Sequence, residues 1–399
     1  MNRRQFLHSS AAAAAALTAT GCHPKPILAK ASTPTLPPYD TLPYLAPIRA
    51  HTDRLFRITV CIRPFRAEGP RIEPERVGDK LVIHHYGHGG SGWSLSWGSA
   101  ALVVPMAMAD GQRDIAVIGC GAIGLTTAAM LQRAGARVTI YAKERPPYVR
   151  SSRATGSWTP DSRVALTANA APDFAAKWEK MARTSWAMYQ QFLGASGTPV
   201  EYSDRYALSA LHPDAAIAKK EREDPIGFAR YNHLLDDLTP KPVDYGPGEH
   251  PWPKEHCRRF TSLQFNIADY SRQLITDFQL AGGKIETCEF HTPADFAALP
   301  QKVIVNCTGY GARALFNDNS ITPVRGQIGW LIPQPEVNYG IYYENLNILS
   351  RRDGIVVQSS EQGEASGWND TNEQPDRREA EDAVRLLATI YAGMKPQKV

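Results

Sequence analysis

Little in this chain is lopsided. Its 44 basic and 40 acidic residues leave a formal charge of +4, too small and too evenly spread to call for a nucleic-acid partner. The six cysteines, Cys22, Cys61, Cys120, Cys257, Cys288 and Cys307, are scattered. None are paired at metal-ligand spacing, so neither a disulfide framework nor a metal site is expected. His84, His85 and His88 cluster, but without the Cys, Asp or Glu spacing that a metal needs. The alanine-rich stretch Ala11–Leu17 is too short to cross a bilayer as a mature helix. Internal repeats are absent. What is left is an ordinary globular composition, 43% apolar and 21% charged over 399 residues, enough for about two domains.

The N-terminus reads as an address. Arg3-Arg4-Gln5-Phe6-Leu7 puts twin arginines before the alanine stretch, the pattern of a twin-arginine export signal over residues 1–31. The export machinery would then be a partner, and the location periplasmic or exported. Ala19-Thr20-Gly21-Cys22 is a loose match to a lipoprotein box, which would put a lipid anchor on Cys22. Ala29-Lys30-Ala31 instead suits ordinary cleavage. Residues 32–48 are proline-rich and read as an extended tether.

Beyond the tether, residues 55–65 alternate like a strand, and 81–87 read as a second strand ending in glycines. Residues 94–109 suit a helix that Pro105 kinks. A β-α-β unit follows: a strand at DIAVIG, a helix over 124–135, a strand at ARVTIYA. Helices are expected over 172–193, 266–283 and 377–394, and a buried strand over 302–312. Residues 212–259 read as irregular surface, and 324–358 as antiparallel strands. The order favours an α/β protein with a separate antiparallel sheet. Trp178, Trp186 and Tyr189 read as core.

Gly119-Cys120-Gly121-Ala122-Ile123-Gly124 ends a strand and opens a helix. The first glycine makes the tight turn, the second admits a pyrophosphate, and the third lets helix and sheet pack closely. Ala128 and Gly135 extend the spacing. The unit is therefore a dinucleotide-binding turn. The acidic residue expected after the second strand is displaced: Ala142 holds that place, then Lys143 and Glu144. Glu144 is the candidate for the adenosine ribose.

Several segments resemble the FAD-dependent D-amino-acid oxidase family. IAVIGCGAIGLTTA resembles its FAD phosphate turn. RATGSWTP, 153–160, with Ser151 and Ser152 before it, resembles a second flavin-contacting segment containing Gly156, Ser157 and Trp158. VIVNCTGYGARAL, 303–315, resembles the turn beside the cofactor, here Cys307, Thr308 and Gly309. PVRGQI resembles the segment after it. IRPFR, 62–66, resembles the segment with the substrate-carboxylate arginine, here Arg63. HHYGHGGSGWSLSWG resembles the family's last signature, where Gly89, Gly90, Ser91, Gly92, Trp93 and Ser94 would pass the flavin ring. In the family the last two segments come near the C-terminus; here they come first. Circular permutation accounts for this simply, because chain ends often lie close together. Residues 49–110 would be the permuted segment. Residues 111–323 would be the FAD-binding domain with part of the substrate domain, and 324–399 the rest of the substrate domain.

The resemblance implies a Rossmann-type FAD domain with an antiparallel-sheet substrate domain. It implies oxidative deamination of a D-amino acid, with hydride passing to flavin N5 and oxygen, or another acceptor, taking the electrons. Arg63 and a tyrosine would hold the amino acid. Tyr342 matches the first family tyrosine, while the second falls near Leu346, with Tyr343 as a stand-in. The rival readings are an envelope dehydrogenase using a quinone or carrier protein, an oxidoreductase for glycine or sarcosine, and a flavin-binding module without turnover.

Overall fold

A computed structural model describes residues 38–397. The residues from Leu42 onward cluster as one unit. The twin-arginine segment, Cys22 and most of the tether lie outside the described residues. The chain begins with β1 (Leu55–Arg66), β2 (Arg71–Val77), β3 (Lys80–Tyr86) and α1 (Gly92–Ala107). Next come β4 (Asp114–Ile118), α2 (Ala122–Arg133), β5 (Arg137–Ala142) and α3 (Phe174–Tyr189). The middle holds β6 (Val200–Ser209), α4 (Pro213–Arg222), β7 (Val243–Tyr245), β8 (His256–Phe265) and α5 (Ile267–Leu280). Then follow β9 (Lys284–Thr287), β10 (Val303–Asn306), α6 (Ala312–Leu315) and β11 (Ile321–Leu331). The chain closes with β12 (Tyr339–Tyr343), β13 (Leu346–Arg351), β14 (Gly354–Ser359) and α7 (Arg377–Ala392).

The strands form two sheets. The six-stranded one runs β2-β3-β10-β4-β5-β9 and is parallel except at its β2 edge. Both of its faces are covered, as a parallel sheet requires. Ile115, Val117, Val303 and Val305 point to the helix side, where Trp97, Leu125 and Phe278 pack. Ala116, Ile118 and Ile304 point the other way, onto Phe296, Leu299 and Leu315. The alternation is the period of two along each strand.

The eight-stranded sheet runs β1-β11-β14-β13-β12-β6-β8-β7. It is antiparallel except where β12 meets β6. The segment before the phosphate turn divides between the two sheets. β1 lies along β11, while β3 enters the parallel sheet beside β10. α7 is started by Asp376, whose carboxylate accepts from the amides of Arg378 and Glu379, and lays Val384 and Leu387 against β11 and β14.

One expectation needs correction. Residues 212–259 are not irregular surface: they hold α4, β7 and the start of β8, and they bury Tyr245, Trp252 and Cys257. Charge density hid this, because Lys219, Lys220 and Arg222 sit on an exposed helix while Tyr245 and Cys257 turn inward from half-exposed strands. Pro105 lies inside the last turn of α1, which runs on to Ala107.

Candidate functional site

The starts of α1 and α2 and the ends of β4 and β10 converge on one cavity of about 1930 Å³, roughly twice the ~1,000 Å³ upper end of ordinary ligand pockets. At its phosphate end, β4 stops at Ile118 and α2 starts at Ala122. The Gly119 N–H donates to the Tyr141 carbonyl at 2.8 Å, tying the turn to β5. Gly119, Cys120, Gly121, Ala122 and Ile123 line the cavity. Gly124 does not; it closes the turn from behind. A Cβ there would lie 2.0 Å from the Gly119 carbonyl oxygen, so only glycine allows this approach. The first amides of α2 lack helical partners and carry its positive dipole end, a ready anion site.

Ser151 supports both helix starts. Its Oγ accepts from the Ala122 N–H at 3.0 Å, and its carbonyl accepts from Trp93 Nε1 at 2.8 Å. Ser152 does not reach the cavity. Cys307, Thr308 and Gly309, after β10, complete this wall. Burial pushes the Cys120 and Cys307 thiols up to about 12, so both stay neutral. Glu144 is an exposed residue at the cavity lining beyond β5, next to Lys143, which pairs with Glu289 at 2.7 Å.

Residues 87–94 carry the chain from β3 into α1. Gly89, Gly90, Gly92, Trp93 and Ser94 line the cavity; Ser91 lies beneath them, its hydroxyl donating to the His88 carbonyl at 2.6 Å. Gly89 has φ +54°, and a Cβ there would sit 1.8 Å from the Arg163 carbonyl oxygen. The loop is pinned on two sides, by Gly89 N–H to the Pro64 carbonyl at 2.9 Å and Gly90 N–H to the Ser162 carbonyl at 3.0 Å. Ser94 Oγ accepts from the Thr159 amide at 2.8 Å, which brings in the Gly156–Pro160 segment. Gly156 and Ser157 line the cavity; Trp158 instead packs on Trp186, ring centroids 5.1 Å apart. His88 lines the cavity with both ring nitrogens buried and unpartnered among the described residues. Burial pulls its pKa down to about 3, so it is neutral at working pH.

The third wall comes from the eight-stranded sheet. Arg63 on β1 is half-buried, and its Nη1 donates to the Arg325 carbonyl at 3.0 Å. Burial lowers its pKa, against the pull of Cys61 and Glu364, yet a guanidinium keeps its proton. Tyr342 on β12 faces the cavity and stacks on Phe260, centroids 5.9 Å apart at 24°. Tyr343 does not stand in for a second tyrosine. Neighbouring strand residues face opposite ways, and Tyr343 is buried outside the cavity under Lys254, whose Nζ lies 4.9 Å from the ring. Leu346 lines the cavity.

The sequence reading passed over Arg163, Arg205 and Glu364. Arg163 is buried and donates to the Glu364 carbonyl at 2.7 Å; Arg205 is 2% exposed. Neither stands in a motif: Arg205 is placed by the pairing of β6 with β12, and Arg163 by a contact between two distant loops. Among the described residues no group of three or more His, Cys, Asp or Glu side chains is arranged to hold a metal, and no helix is long and apolar enough to cross a membrane.

A family profile described as FAD dependent oxidoreductase matches residues 114–397. The chain belongs to this family. Among curated relatives, D-amino-acid oxidase of Dictyostelium discoideum is 27% identical over 297 residues, 69% of this chain and 72% of that one. D-amino-acid oxidase of Streptomyces coelicolor is 30% identical over 227 residues, 55% of this chain and 60% of its own. The crystal structure of L-proline dehydrogenase from P. horikoshii shares the fold, with a TM-score of 0.50 and 14% identity over 70% of this chain and 78% of that one. As a member of the FAD-dependent oxidoreductases, the protein is an enzyme with FAD as its cofactor. Its residues fit that group. The glycine turn and the α2 start suit the pyrophosphate, and the α1 start with the unpartnered His88 nitrogens offers polar contacts at the other end.

Proposed function

We propose that the protein oxidises a D-amino acid to its imino acid, which water converts to a keto acid and ammonia. One observation carries the reading: Arg63 and Tyr342 line the same cavity as the phosphate turn and the 87–94 loop. Arg63 offers a planar fork of donors that matches a carboxylate, as a lysine cannot. Tyr342 adds a hydroxyl. FAD, when bound, would supply the two-electron chemistry: a hydride acceptor for the α-carbon and a route for the electrons to oxygen. The chain's part is to hold the amino acid in place and to present the amide end of α1 where negative charge develops. The names of the curated relatives support the D-amino acid and the oxygen.

Residues 49–110 are read as the family's C-terminal part moved to the front. Three observations support this permutation. The family match starts at Asp114, the first residue of β4. β3 pairs parallel with β10 inside the cofactor sheet, and β1 pairs with β11. The twin-arginine segment supports export of the folded, FAD-loaded enzyme across the membrane, either cleaved after Ala31 or anchored by a lipid on Cys22.

The test is anaerobic. Protein spanning residues 32–399 is mixed with pooled D-amino acids, then with L-amino acids, glycine and sarcosine, while the flavin absorbance is followed. Bleaching by the D pool alone, reversed by air with peroxide release, is the expected result. Bleaching only by glycine or sarcosine would overturn the substrate. Bleached flavin that air leaves reduced would overturn oxygen as acceptor.

A further inference from the structure

Arg205 is a buried cation without an acidic partner among the described residues. It lies on β6 at 2% exposure, opposite Gly340 of β12 and Phe260 of β8. A Cβ on Gly340 would sit 2.8 Å from the Ile348 carbonyl oxygen and in contact with the Arg205 stem, so β12 packs closely over the arginine. Nη1 donates to Ser157 Oγ at 2.8 Å and to Tyr342 Oη at 3.0 Å. Nε and Nη2 are buried and find no partner among the described residues.

A guanidinium only donates. Nη1 carries two hydrogens, one for each hydroxyl. Both hydroxyl oxygens must therefore accept from Arg205, and both hydroxyl protons must point elsewhere. Neither finds an acceptor among the described residues, and both residues line the cavity. The pair is thus set to donate to whatever the cavity holds. A carboxylate can take both free protons, whereas an ammonium group, which also only donates, can take neither and would sit beside a buried cation. The unneutralised charge behind the pair acts in the same sense, since a buried cation without a counterion favours an anion nearby.

We propose that Arg205 is a positioning residue which fixes Tyr342 and Ser157 as hydrogen-bond donors to the substrate carboxylate, and so sets which end of the amino acid faces β12. This rests on the amino-acid reading of the site. Arg205 touches neither substrate nor cofactor; it acts through the two hydroxyls.

The test uses FAD-loaded wild type, Arg205→Met and Arg205→Lys. Pyruvate binding is read from the flavin absorbance, and turnover from D-alanine and its neutral analogue D-alaninamide. Arg205→Met should keep its flavin and bind pyruvate on the order of 10- to 100-fold more weakly. Its KM for D-alanine should rise by a similar factor, with kcat less affected. Its preference for D-alanine over D-alaninamide, as kcat/KM, should fall at least ~10-fold. Arg205→Lys should recover part of both losses. On a Tyr342→Phe background, Arg205→Met should cost less than it does alone, because much of its route is gone.

Unchanged pyruvate binding would overturn the proposal. So would an equal loss toward both substrates, a wild type that ignores pyruvate, or an Arg205→Met protein that loses its flavin, since Arg205 would then merely hold the fold. Arg205-dependent pyruvate binding in a protein whose flavin no D-amino acid reduces would sink the proposed activity and leave this inference standing.

Discussion

Gly89 donates its backbone N–H to the carbonyl oxygen of Pro64 at 2.9 Å. Pro64 follows Arg63, and a β-bridge joins Phe65 to His88 next door. The glycine loop and β1 are therefore one body. A shift in the loop must move Arg63.

Gly89→Ala tests that coupling. The new Cβ would meet the Arg163 carbonyl oxygen in a backbone conformation that alanine resists. Strain and overpacking together should cost at least ~2 kcal/mol, seen as a lower urea midpoint. The same variant should lose flavin, measured by the ratio of visible to ultraviolet absorbance. Full flavin content with unchanged stability would show that the loop can give way without cost.

Arg63→Lys should keep the flavin and lose the substrate. The lysine retains charge but not the fork, so KM should rise ~10- to 100-fold. Steady-state kinetics with the amino acid that best reduces the wild type reads this directly. A KM within twofold of wild type would remove Arg63 from the carboxylate.

The two adjacent tyrosines should behave differently. Tyr342→Phe deletes a hydroxyl in the cavity and should raise KM ~5- to 15-fold, the worth of one hydrogen bond. Tyr343→Phe removes a hydroxyl outside the cavity and should leave kcat/KM within about twofold. Equal losses from both would contradict their opposite facing on β12.

Asp161 should make stability fall with rising pH. It is 6% exposed and accepts from the Tyr231 and Asn232 amides at 3.2 and 3.3 Å. Burial, then the Glu364 charge, still raises its pKa to about 6, against ~3.9 unfolded. Between those values the folded state holds the proton and the unfolded state does not. Stability from this group is therefore full below ~pH 4 and lost as pH rises through about 6. Relative to wild type, Asp161→Asn should gain ~2–3 kcal/mol on going from pH 4 to pH 7. Paired urea titrations across that range check it; a difference that stays flat would assign the carboxyl an ordinary pKa.

The sequence made the cofactor half of the fold legible because its chemistry is local. A glycine turn and the helix it opens lie within a dozen residues, and hydrophobic runs such as Ile115–Ile118 and Val303–Val305 announce buried parallel strands. The substrate half depends on pairs far apart in the chain. Arg205 reaches Tyr342 only because β6 lies along β12, and Arg163 meets Glu364 only because two loops cross. No spacing rule contains that information. Tyr343 failed for a simpler reason: a motif comparison ignores which face of a strand a residue occupies, and one step along β12 reverses it.

The position of β3 also sets a timetable. Asn306 on β10, which bonds His84 on β3, is made 222 residues later. At ~5–20 residues per second, a ribosome takes on the order of ten to forty seconds to cover that distance. Throughout that interval β3 has its β2 hairpin partner but no strand on its other edge, and the wall formed by Cys307 to Gly309 does not exist. The flavin cannot be enclosed while the chain is half made. Enclosure of the cofactor therefore cannot precede the making of β10, and β3 waits until then for the strand that completes its side of the sheet.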